Sequence, residues 1–190
     1  IMKCVTSYRA NKILYNFLAS NELLKKSILL PTNICHDVVE TLRFAKMQLH
    51  FVDISSKTLC MDELFVVDAV KGAQVVLMVH TYGGECDFTD FYTKLRDLNP
   101  NIVIVDDKCL CLPELYIEDS KVDLVLYSLG SKKQVEMGVG AIGFVADKWQ
   151  YNDVEMLEGN GILVNRPYEL DEATLLAKID AVIAHKEKLN

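Results

Sequence analysis

The strand-like run Asp123-Leu124-Val125-Leu126-Tyr127 breaks at Ser128-Leu129-Gly130-Ser131, then delivers two lysines, Lys132 and Lys133, and a glycine-rich stretch from Gly138 to Gly143. Upstream, the apolar run Ile102-Val103-Ile104-Val105 ends in Asp106-Asp107. A lysine just past one strand end and an acid at another is the arrangement a pyridoxal phosphate site needs. The amine condenses with the cofactor aldehyde, and the carboxylate keeps the pyridine nitrogen protonated so that the ring draws electrons. The same residues also read as solvated loop charges and a turn. Spacing alone separates neither the two readings nor one lysine from the other.

These residues need a scaffold, and the chain alternates helix and strand almost throughout. Apolar spacing predicts helices over Tyr8 to Leu24, Asp37 to Lys46, Met61 to Val70 and Asp87 to Leu98. Between them lie strands at Ile28 to Leu30, Leu49 to Asp53, Val75 to Val79, Ile102 to Val105, Asp123 to Tyr127 and Ala141 to Ala146. Val75 to Val79 is wholly apolar, as in a sheet covered on both faces. The expected fold class is therefore α/β, a mainly parallel sheet with helices on both faces in a three-layer sandwich. Ligands in such sheets bind beyond the carboxyl ends of the strands. Polar residues gather there: Thr32-Asn33, His80, Asp106-Asp107 and Ser128. After a polar, turn-rich segment from Tyr151 to Asn165, a long amphipathic helix is expected over Leu170 to Leu189, lying along the domain or against a partner.

At 190 residues the chain suits one domain with a full core. A net charge of −7 and a pI near 5.1 argue against a nucleic-acid surface. No apolar run approaches the roughly 20 residues of a membrane helix, and the first residues do not resemble a signal peptide. A cytoplasmic location with no membrane partner is expected. The six cysteines are scattered without the spacing of a zinc site, so no metal is assigned and buried, reduced thiols are expected.

With these residues in hand, the chain resembles the DegT/StrS family of pyridoxal-phosphate-dependent sugar aminotransferases. The resemblance runs from about Ser7 to Asn190 and is clearest from Leu29 to Val145. Leu29-Leu30-Pro31 with Cys35 looks like the segment after the family's first sheet strand. Phe51-Val52-Asp53-Ile54 is similar to its F-V-D-V strand end, and Val79-His80-Thr81-Tyr82-Gly83 to its V-H-x-Y-G turn. Val105-Asp106-Asp107 resembles I-E-D, and the run from Asp123 to Lys133 resembles D-x-A-x-F-S-F-G-x-x-K. Together and in order these matches are far more specific than any one alone.

The resemblance implies a fold type I large domain over 1–165, with 166–190 a helix leading toward a small domain absent from this chain. It implies pyridoxal 5′-phosphate as cofactor, a keto sugar (nucleotide-linked) and an amino acid donor as substrates, and a homodimer. The family's cofactor-bonding lysine lies five residues after the serine, which implies Lys133. Its pyridinium partner is the second acid, which implies Asp107, and Ser128 would serve the phosphate. Ser7 and Arg9 would lie at the phosphate, His36 at the ring-stacking position, and His80 either in the pocket or hydrogen-bonded at its strand end. The chain departs from the pattern at Tyr8, where the family has a small residue, and at Leu110, where it often has glutamine or histidine near the cofactor hydroxyl. These departures carry an alternative: a catalytically weakened or non-catalytic relative, or a different reaction of the same cofactor such as dehydration.

Overall fold

The structure, a computed structural model, describes residues 1–84, 86–118, 120–154 and 166–188. The turn-rich reading over 155–165 and the end of the expected C-terminal helix at 189 lie outside the described residues. Among those, seven strands form one sheet: β1 (Met2–Ser7), β2 (Ser27–Pro31), β3 (Gln48–Val52), β4 (Val75–Val79), β5 (Val103–Asp107), β6 (Leu124–Ser128) and β7 (Ala141–Ala146). Their spatial order is β1-β7-β6-β5-β4-β2-β3. The pairs from β6 through β3 are parallel, and β7 runs antiparallel to both β6 and β1. This is the α/β, mainly parallel sheet expected from the periodicity.

Helices α1 (Ala10–Ser20) and α2 (His36–Phe44) cover one face; α3 (Glu63–Ala69), α4 (Thr89–Leu98) and α5 (Glu172–Glu187) cover the other. In α1, Ile13, Leu14, Phe17 and Leu18 form one buried stripe against Ile28, Leu30, Leu77 and Val105. A second stripe is polar yet also covered. Asn16 and Ser20 hydrogen-bond the chain at 151–154, and the buried Lys12 ammonium meets the Val154 carbonyl and Asp153. The helix is shorter than its apolar spacing suggests. Arg9 is extended, with φ −146°, and the Asn21 side chain caps the Phe17 carbonyl at 2.7 Å.

β1 is an element the periodicity does not announce. Only Met2 and Val5 within it are buried, while Lys3, Cys4 and Thr6 face solvent on this edge strand. The cysteine expectation also needs correction: Cys60 is buried, but Cys4 and Cys35 are exposed. The C-terminal helix α5 lies along the domain. Leu175 and Ile179 enter the same core as Phe91 and Val125, and Asp171 caps its start by accepting from the Thr174 amide at 3.0 Å.

Candidate functional site

A period of two decides which strand-end residues meet. Val75, Leu77, Val103, Val105, Leu124 and Leu126 pack on the α1 side, and Val76, Met78, Ile104, Val125 and Tyr127 on the α4 side. Continuing the alternation sends Val79, Asp107 and Ser128 to the α1 face, and Asp106 with His80 to the other. On the α1 face the strand ends open into a cavity of about 560 Å³, within the range of about 300–1,000 Å³ usual for small-molecule sites. Tyr8, Arg9, Thr81, Asp107, Ser128 and Lys133 are among its walls.

Asp107 ends β5 and is buried, accepting a hydrogen bond from the Cys109 amide at 2.9 Å. Burial pushes its carboxyl above the ordinary range; the Cys109 hydrogen bonds and the Lys133 charge oppose that rise. Lys133 is half-buried in the cavity wall, whereas Lys132 is exposed and lies outside it. The backbone separates the pair. Lys132 takes a left-handed φ of 64°, and its amide donates to the Glu136 carboxylate at 2.9 Å.

The other wall is the start of α1. No acid occupies its first turn and no side chain caps it, so its leading amides and positive dipole end face the cavity rim at Arg9, Ala10 and Asn11. Ser128, half-buried, accepts from the Gly130 amide at 3.4 Å and keeps its own hydroxyl proton available. Such a helix start with an adjacent hydroxyl suits an oxyanion. Arg9 lies 3.7 Å from Asp37, which also lines the cavity. Tyr8 turns toward Arg166: the guanidinium donates to its hydroxyl at 3.2 Å and stacks 5.1 Å from its ring centre. The cavity can thus hold an anionic group at α1, a basic ring nitrogen at Asp107, and a carbonyl within reach of an amine.

Three residues implied by the resemblance stand apart. His80 is buried on the opposite face, its Nε2 2.8 Å from the Asp106 carboxylate, which also accepts from the Tyr92 hydroxyl at 2.7 Å. Its strand-end hydrogen bond, not a place in the cavity, is what the structure records. His36 is exposed at the start of α2, 3.8 Å from Glu40, and does not line the cavity. Ser7 shares a row with Ser128, since both pair with Ala141 across β7, but it lies two strands away and outside the cavity wall. Conversely, Thr81 and Asp37 line the cavity without having been singled out. Thr81 lies past the end of β4, in the turn over Thr81–Gly83, so strand alternation carries no signal for it.

No family model matches the chain, and no curated protein matches it. Solved structures do. NtdA from Bacillus subtilis with bound cofactor PMP is similar at 16% identity over 76% of this chain and 33% of that one, with a TM-score of 0.65. The E. coli GDP-4-keto-6-deoxy-D-mannose-3-dehydratase with bound hydrated PLP is similar at 17% identity, over 77% and 40%, with a TM-score of 0.65. An aminotransferase from Psychrobacter cryohalolentis is similar at 14% identity, over 76% and 38%, with a TM-score of 0.65. The chain therefore spans well under half of each of these relatives, and the likeness establishes its fold as that of PLP-dependent transferase fold type I.

Proposed function

We propose that this chain is the cofactor-binding domain of a pyridoxal 5′-phosphate enzyme that transfers an amino group from an amino acid to a keto sugar. The observation that carries the reading is the convergence of Lys133, Asp107 and Ser128 on one cavity at the start of α1. The residues fit the group on grounds independent of any relative. The first turn of α1 carries no acid of its own, and the wall's Asp37 is paired with Arg9; the acid deep in the wall is buried, and among the described residues the buried Thr81 hydroxyl oxygen has no hydrogen-bond partner. Relatives of this fold that carry PLP or PMP support the same cofactor.

The bound cofactor would supply an aldehyde carbon and an electron-withdrawing pyridinium ring. The amides of α1 and the Ser128 hydroxyl would hold its phosphate, with Arg9 close by. Asp107 would hold a proton on the ring nitrogen, and burial keeps that pair shielded from water. Lys133 would bond the cofactor at rest and carry a proton to and from the substrate carbon once displaced. Residues 1–165 would form this domain, and α5 would lead toward a second one. The active unit would be a homodimer, as the resemblance implies. A dehydration on the same residues is the second reading, favoured by the likeness to a sugar 3-dehydratase.

Mixing the purified chain with pyridoxal phosphate should produce the visible absorbance of lysine-bound cofactor, and borohydride should then fix the cofactor mass on Lys133. Lys133→Ala should abolish both signals. An unchanged band in that variant would remove the assignment. Conversion of the band by glutamate would separate an enzyme that takes up amino groups from a non-catalytic relative.

A further inference from the structure

Among the described residues, one buried side-chain oxygen lacks a hydrogen-bond partner, the Thr81 hydroxyl. A buried hydroxyl is seldom left unpaired, because it has surrendered water and gained nothing in return. Thr81 is 9% exposed and lines the cavity that holds Asp107 and Lys133. Its position follows from the sheet. Val79 pairs with Asp107 in register, the His80 amide donates to the Asp107 carbonyl at 3.0 Å, and Thr81 comes next in the turn. Across the sheet, the order is Ser128 on β6, Asp107 on β5 and Thr81 beyond β4.

That order matches the substitution pattern of the pyridoxal ring. Opposite the ring nitrogen is the aldehyde carbon, flanked on one side by the phosphate arm and on the other by the ring hydroxyl. With the nitrogen at Asp107 and the phosphate toward Ser128 and α1, the hydroxyl falls on the β4 flank. Leu110 also lines the cavity but has no donor, and its backbone carbonyl is taken by the Gln134 amide at 2.9 Å. Resting on the pyridoxal phosphate reading above, we propose that Thr81 binds the cofactor's ring hydroxyl oxygen by donating a hydrogen bond to it.

A donor at that oxygen favours its deprotonated form. Removing the donor should therefore raise the pH midpoint at which the bound cofactor's visible band changes. The test titrates the full chain with pyridoxal phosphate in wild type, Thr81→Val, Thr81→Ala and Thr81→Ser. Thr81→Val should weaken binding about 5- to 10-fold and move the midpoint up by about half a unit or more. Thr81→Ser should restore both. Without cofactor, Thr81→Val should melt at or above the wild-type temperature, since it deletes an unpaired hydroxyl. Thr81→Ala carries the same cofactor expectation should the valine variant not fold. A wild type with no band would overturn the cofactor reading and this assignment with it. A wild-type band whose affinity and midpoint survive in both Thr81→Val and Thr81→Ala would overturn the Thr81 assignment alone.

Discussion

Asp106 and Asp107 are chemically identical neighbours with opposite duties, and the pleat of β5 makes them so. Asp106 faces α4, where His80 and Tyr92 hold it in a buried cluster; Asp107 faces the cavity with a backbone amide and a nearby ammonium. Asp106→Asn should therefore cost about 1–3 kcal/mol of stability, read by denaturant unfolding, because it disturbs a buried network. Asp107→Asn should behave differently. Burial raises the Asp107 carboxyl pKa in the folded protein, so its ionisation opposes folding. The associated stability is complete below the unfolded carboxylate pKa and is lost as pH rises through the folded one. Unfolding at a series of pH values should thus show the asparagine variant gaining on wild type as pH rises, while cofactor uptake falls. A gap between the two proteins that stays flat with pH would contradict the burial argument.

At the scale of elements, the strands were largely legible because fully apolar runs such as Val75 to Val79 have few other homes. The same period of two also held information that a strand-end inventory overlooks. His80 and Asp107 sit at adjacent strand ends, yet their parities differ, so His80 belongs with Asp106. β1 was not legible, since an edge strand with two buried side chains carries almost no alternation. Nor was the connection around Gly140, where geometry depends on a residue distant in sequence. Gly140 has φ +114°, its amide donates to the Tyr8 carbonyl at 3.0 Å, and a Cβ there would lie 2.0 Å from the Tyr168 hydroxyl. Gly140→Ala faces both a left-handed backbone and a clash with Tyr168. It should lose about 2 kcal/mol or more of stability in chemical denaturation. A loss under about 0.5 kcal/mol would mean that the Tyr168 contact yields freely.

Across the whole molecule, the two ends of the strands divide the work. At the end away from the cavity, the fully buried Asp123 gathers the Ile104 amide at 2.8 Å, the Trp149 indole at 2.7 Å, Lys148 at 2.8 Å and the Arg96 guanidinium. That cluster ties β5, β6, α4 and the chain leaving β7 into one block. Asp123 immediately precedes β6, and Ser128 at that strand's other end lies five residues on, roughly 16 Å away at about 3.3 Å per residue. Asp123→Ala would strip the partner from a half-buried guanidinium, an exposed ammonium, an indole and a buried amide at once. It should cost about 1–3 kcal/mol, read as a lower denaturant midpoint. The cavity end is built from the start of α1, Asp107 and Lys133, whereas the cluster meets α1 near its other end, where Phe17 packs edge-on against Trp149 with ring centres 5.7 Å apart. The variant that remains folded should therefore bind pyridoxal phosphate with wild-type affinity. Weak binding by a demonstrably folded Asp123→Ala protein would mean that the two ends are coupled through β6, and the division of the sheet into a holding end and a binding end would fail.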